Sequence, residues 1–341
     1  MPHLTLPKER AEKTRLWILI PAAGDQIHAT FAVCLIRLLG LLRQHGITGE
    51  LLFLPGDSLV TRARNNLTAQ FLTASSDPDH DYSLWLDCDI LFDPAAVLHL
   101  LATNLDFVCA PYSKKGIHLD RIAEAARLGW PNDRMMAVGG TPNVNWLVHP
   151  LRTDIPVPVL EAGTGFWLVR RKVYTQMIAD LPLLPFRRSA EEKHYGDGYD
   201  FFRVGVWPET NEYISEDWWF CREWRRLGGT VYCCFWIKTQ HIGPRHYEMD
   251  MPAIADLLTA TGGYINAETR PTKESKDATT QAHGSNDHTN GNGRADRGQV
   301  EEIGHRLAKT GPDISRALAA LLDVLPTDEA AGEGGPSSLG G

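Results

Sequence analysis

The segment that most constrains this chain is Tyr82-Ser83-Leu84-Trp85-Leu86-Asp87-Cys88-Asp89. Leu84, Trp85 and Leu86 form an apolar run of strand length and strand-favouring composition, and it leads straight into two carboxylates. Asp87 and Asp89 are two residues apart, so on extended backbone both face the same side. Asp93-Pro94 then opens a helix, with Val97, Leu98, Leu100 and Leu101 as its apolar face. Two same-side acids at the carboxyl end of a buried strand are costly unless a cation neutralises them. A hard divalent metal that also carries phosphate oxygens meets that need. An Asp-x-Asp alone is common, and two solvated acids would look the same; the elements on either side give the pattern its weight.

Those elements alternate. Arg15 to Ile20 reads as the first core strand, with Pro21 to Gly24 as its exit loop. Asp25 to Gly46 reads as a helix, because Ile27, Phe31, Leu35, Leu38 and Leu42 recur at helical spacing and Gly46 is a good stop. Glu50 to Pro55 is a second strand, followed by Asp57 and a helix from Leu59 to Ala74 that carries Arg62, Arg64, Asn65 and Asn66. Phe107 to Tyr112 is a fourth strand. The alternation predicts an α/β fold with a mostly parallel sheet flanked by helices, and ligands beyond the carboxyl ends of the strands. Asp57, Asp87, Asp89 and Lys114 fall at such ends.

The middle is less regular. Leu119 to Leu128 reads as a helix, and the Gly-, Pro- and Asn-rich residues after it as loop. Gly163-Thr164-Gly165 lies inside the apolar run Val159 to Arg171, where glycines mark a bulge or a close approach of ligand. Lys172 to Leu181 reads as a helix. Pro182 to Ile214 lacks periodicity, and a loop that long is usually functional or mobile. Ser215 opens a helix with Glu216 and Asp217 in its first turn, where acids suit the helix dipole. Asp217, Phe220, Trp224 and Leu227 share one face, so Asp217 is expected on the core side, with Trp218 off that face.

Composition bounds the rest. A net charge of −8 argues against a nucleic-acid binder. The six cysteines sit mostly in apolar runs without zinc-site spacing, as reduced thiols of a cytoplasmic protein do. No stretch approaches the ~20 apolar residues of a membrane span. After about Gly263 large apolar side chains become scarce. The expected division is a domain over 1–263, a disordered linker over 264–299, and a short helical segment with a disordered, flexible end over 300–341.

Five motifs in order, Thr61 to Leu67, Trp85 to Asp89, Gly163 to Phe166, Glu216-Asp217 followed by Arg222 and Gly228, and His241, resemble the GT-A (Rossmann-like) glycosyltransferases, family 2 above all. A weaker likeness runs to fungal Golgi mannan-polymerase mannosyltransferases. The resemblance spans roughly Arg15 to Tyr247. It implies transfer of a sugar from a UDP- or GDP-sugar, with Mn²⁺ or Mg²⁺, to a glycan, lipid-linked or protein acceptor. It places Pro21, Ala22 and Asp57 near the nucleotide and Arg64 in the donor pocket. Asp87 would meet ribose or a metal-bound water and belongs with Asp89 and His241 to the metal set, and Asp217 would be the base of an inverting enzyme. Glu216, Trp218, Gly163 and Thr164 fall to the acceptor side, Trp218 by stacking on a sugar. Lys114-Lys115 reads equally as a diphosphate clamp or a solvated pair.

The motifs depart from the family in places. The strand end reads Asp-Cys-Asp, and no Gln-x-x-Arg-Trp follows the acid pair, which speaks against a processive polysaccharide synthase. A retaining transferase of the same fold, a sugar-phosphate nucleotidyltransferase and a non-catalytic scaffold are the alternatives. The absence of a basic residue in Pro21 to Asp25 counts against the second.

Overall fold

Residues 4–24, 26–146, 151–187, 198–244 and 246–261 are described by a computed structural model. Their centre is an eight-stranded sheet ordered Thr48–Pro55, Arg15–Ala22, Asp81–Leu86, Phe166–Arg170, Phe107–Cys109, Val231–Cys233, Val157–Ala162 and Val144–Trp146. The first three pair in parallel, and Phe107–Cys109 pairs in parallel with Val231–Cys233. Phe166–Arg170 inserts antiparallel between these groups. Parallel pairing puts the carboxyl ends of the Thr48–Pro55, Arg15–Ala22 and Asp81–Leu86 strands on one edge, where the predicted residues collect.

Strand alternation decides the two cores. Trp17, Leu19, Trp85 and Trp167 face one cluster, with Tyr174, Phe202 and Phe220. Leu16, Ile18, Ile20, Leu84 and Leu168 face the other, with Phe31, Leu35 and Leu38 of the Ala29–Gln44 helix. Ser83, polar within a wholly buried strand, is satisfied there. Its hydroxyl donates to the Val169 carbonyl at 3.2 Å and accepts from Tyr174, which in turn accepts from the Trp85 indole at 2.9 Å.

The helices form where periodicity places them: Ala29–Gln44, Val60–Ala74, Ala95–Ala102, Leu119–Arg127, Arg171–Asp180 and Glu216–Arg226. Gly46 stops the first with a φ of +70°. Three readings are corrected. Asn132–Ala137, taken as loop, is a helix too short to show a period. Gly163-Thr164-Gly165 is not a bulge within one strand. It is the connection between Val157–Ala162 and Phe166–Arg170, which lie apart in the sheet. Pro21 and Ala22 are not loop either: they end the first strand, opposite Leu54 and Pro55. Pro21 is tolerated because the ladder to the third strand stops at Leu19–Trp85, so no donor is missed there.

The Pro182 to Ile214 stretch is anchored where it is described. Phe201 and Phe202 are in the core. Asn65 donates to Asp200 at 2.8 Å and accepts from the Phe202 amide at 3.0 Å. Among the described residues no helix is long and apolar enough to cross a membrane. The expectations for 264–299 and 300–341 lie outside the described residues.

Candidate functional site

Asp87 and Asp89 leave the central strand on a tight turn. The Ile90 amide donates to the Asp87 carbonyl, and the Asp87 amide donates to Gly165. The two carboxylates then part company. Asp87 accepts from Arg64 at 3.2 Å. Asp89 faces the Ile90–Phe92, Thr239–Ile242 and His246–Met249 sheet, where the Ile242 amide donates to its carbonyl at 2.7 Å. That register brings in His241. Its Nδ1 lies 2.7 Å from the Ser113 carbonyl, which can only accept, so Nδ1 carries hydrogen. In the neutral ring the Nε2 lone pair then faces Asp89 Oδ2 at 3.2 Å. A protonated ring donates from Nε2 to that carboxylate, whereas in the neutral ring a lone pair and a carboxylate oxygen face each other and a cation between them is required.

Lys115 is the cation on the spot, with Nζ 2.6 Å from the same Asp89 oxygen. Burial works to raise the Asp89 carboxyl, but the contacts with Lys115 and with a protonated His241 outweigh it and bring it down to about 2. Among the described residues no three His, Cys, Asp or Glu side chains form a ready metal cluster. The Asp89–His241 pair nonetheless fits a divalent ion whose remaining positions come from phosphate and water. Cys88 between the acids is pushed up to about 11 by burial and by the neighbouring carboxylates, so it stays a thiol.

Arg64 organises the other half. Its side chain is 6% exposed, projecting from Val60–Ala74. It reaches Asp87, and Glu216 at 3.5 Å, while Nη1 and Nε have no hydrogen-bond partner among the described residues. Burial alone would lower its pKa, but Asp87 and Glu216 outweigh that and hold the guanidinium charged. Glu216 and Asp217 open the Glu216–Arg226 helix. Asp217 accepts from the Ser215 hydroxyl and from the Trp218 amide. Burial raises both carboxyls above the ordinary range despite Arg64. An acid of that kind is a better proton acceptor than a solvated one.

Gly163 and Gly165 explain why the connection needs glycines. A Cβ on Gly163 would lie 1.9 Å from Asn143 Nδ2 and 2.1 Å from the Tyr112 hydroxyl. One on Gly165 would lie 2.9 Å from the Tyr112 ring and 3.0 Å from Asp87 Oδ2. Tyr112 therefore packs directly on the turn, takes a hydrogen bond from Asn143, and sets its ring edge-on to His241.

The structure thus gathers Arg64, Asp87, Asp89, Glu216, Asp217 and His241, with Pro21, Ala22 and Asp57 at neighbouring strand ends. Asp57 is held by Arg62 and accepts from the Leu59 amide. Lys114 is exposed and pairs with Thr141 in a two-residue ladder; its neighbour Lys115 is the lysine that reaches an acid. Gly163 and Thr164 are buried. Trp218 packs on Trp207, Ile214 and Trp219. Sequence reasoning missed Tyr112, Ser113 and Asn143. It also missed Glu161, which is buried and bonded to Arg222 and Asn145. No local pattern marks these residues, because their partners come from distant strands.

No protein-family model matches the chain, and no curated protein does either. Among solved structures, A197 from STIV is similar over 67% of this chain and 86% of that one, at 17% identity and a TM-score of 0.37. A nucleoside-diphosphate-sugar pyrophosphorylase from Vibrio cholerae RC9 is similar over 76% and 88%, at 12% identity and a TM-score of 0.26. Likenesses at these scores carry no argument about function.

Proposed function

We propose that this chain is a metal-dependent glycosyltransferase that moves a sugar from a nucleoside-diphosphate sugar to a hydroxyl acceptor with inversion. The observation that carries the reading is the split of two adjacent acids: Asp89 meets His241, and Asp87 joins Arg64, Glu216 and Asp217. One half suits a cation with phosphates. The other suits proton removal.

Asp89 and His241 would hold Mn²⁺ or Mg²⁺, and such an ion neutralises charge on a departing diphosphate. Ser113 holds hydrogen on His241 Nδ1, so Nε2 of the neutral ring would present its lone pair to such an ion. Arg64 keeps Asp87 and Glu216 in place and lends positive charge to the pocket. Asp217 takes the acceptor proton at a carboxylate oxygen as the hydroxyl attacks. In-line attack brings that hydroxyl from the face opposite the leaving group, so a base there acts directly.

Purified protein, Mn²⁺ and a panel of UDP- and GDP-sugars test the reading by calorimetry and by slow donor hydrolysis. Binding or hydrolysis of one donor, lost in Asp89→Ala, is the expected result. Silence toward every donor overturns it. Pyrophosphate release from a nucleoside triphosphate plus a sugar phosphate would replace it with nucleotidyl transfer.

A further inference from the structure

Lys115 belongs to no role derived so far. Its ammonium lies 2.6 Å from Asp89 Oδ2, the oxygen that also faces His241 Nε2 at 3.2 Å. One carboxylate oxygen is therefore shared by a ring nitrogen and a lysine. Both Lys114 and Lys115 are exposed, but Lys115 reaches Asp89 while Lys114 belongs to the short ladder with Thr141. The lysine stem is guided as well. A Cβ on Gly243 would stand 3.3 Å from Lys115 Cδ and 3.6 Å from Cγ, so the stem crosses the bare backbone just beyond His241. The Lys115 side chain keeps 42% exposure, so solvent is open to it when it leaves.

We propose that Lys115 is a built-in counter-ion which holds the Asp89 oxygen that faces His241 and must be displaced before a divalent metal binds. This rests on the metal role assigned to Asp89 and His241 above. An ammonium satisfies one carboxylate oxygen by charge, as a metal does, but it offers no open position for phosphate. Carrying it in the chain neutralises Asp89 and sets a threshold for metal loading. The competition is local and electrostatic: removing the charge while keeping the stem relieves it.

The experiment is Mn²⁺ binding to the full chain, without donor, followed by electron paramagnetic resonance of free Mn²⁺, for wild type, Lys115→Met and Asp89→Asn. Lys115→Met should bind about 1.5- to fivefold more tightly than wild type, the range of a partly exposed ion pair. Asp89→Asn should not bind. In the wild type, Mn²⁺ should also raise the rate of reductive methylation at Lys115, read by mass spectrometry, because the freed amine becomes accessible. Equal or weaker binding by Lys115→Met, or protection of Lys115 by Mn²⁺, overturns the proposal and leaves the metal site standing. No Mn²⁺ binding by either protein overturns both.

Discussion

Arg64 stands 3.2 Å from Asp87, and this contact fastens the Val60–Ala74 helix to the end of the central strand. The guanidinium is buried, whereas Asp87 keeps 26% exposure and Glu216 14%. Arg64 is thus the counter-charge for acids that arrive from separate elements.

Replacing Arg64 with Met should therefore cost stability as well as function. Removing one partner of a fully buried ion pair costs about 3–5 kcal/mol. The exposure left to Asp87 discounts this to about 2–3 kcal/mol. Urea denaturation reads it. Arg64→Lys should recover part, because a point charge cannot serve Asp87 and Glu216 together. A Met variant as stable as wild type would show that the pair is only incidental.

Asp217→Asn keeps shape and removes basicity. If Asp217 is the base, turnover should fall by about 10² to 10⁴ with donor affinity little changed. The product should carry inverted anomeric configuration. Near-normal turnover, or retention, would remove Asp217 from that role.

The same carboxyl gives a pH signature. Burial raises the Asp217 pKa, so the base form is lost at a higher pH than for a solvated acid. The acidic limb of kcat/KM should lie above that of a solvated carboxylate. For stability, the raised pKa means the folded state holds the proton more tightly than the unfolded one. That contribution is present at low pH and disappears as pH rises through the folded value. Asp217→Asn should thus gain stability relative to wild type between pH 4 and pH 7, by urea titration at each. A relative loss over that interval would contradict a raised pKa.

Gly163→Ala should destabilise the fold, because its Cβ meets the Asn143 amide and the Tyr112 hydroxyl well inside contact distance. Overpacking of this kind costs about 1–3 kcal/mol or more. Gly165→Ala is tight against Asp87 as well, so it should weaken donor binding beyond what its melting shift explains. Thermal unfolding paired with donor titration separates the two effects.

Asp57 has a structural duty to be distinguished from any nucleotide contact. It accepts from the Leu59 amide at 2.9 Å, at the start of the Val60–Ala74 helix, and pairs with Arg62. Asp57→Ala should cost about 1 kcal/mol, the net worth of one hydrogen bond to a backbone amide. Asp57→Asn keeps the amide acceptor and should recover most of it. Donor affinity that falls in both variants would point to a direct contact.

Local chemistry determined much of this protein. Apolar runs of strand length, helical spacing and the Gly46 stop set the leading strands and the six helices named above, since strand and helix periods differ; short elements such as Asn132–Ala137, Val144–Trp146 and His246–Met249 left no such period. The same signals put Asp57, Asp87 and Asp89 at strand ends and Glu216-Asp217 at a helix start. Tertiary structure alone decided which acid meets which cation. The antiparallel strand Phe166–Arg170 slots between parallel neighbours, which separates Val157–Ala162 from it and turns Gly163-Thr164-Gly165 into a packed connection under Tyr112. Sheet register at Ile90–Phe92 sets His241 against Asp89, and burial of Arg64 draws Asp87 away from its neighbour. Lys114 and Lys115 are alike in sequence, and only Lys115, whose stem passes Gly243, reaches the carboxylate in the fold. Such pairings depend on contacts between residues far apart in the chain, and the energy of burying a charge is set by whatever the fold places beside it.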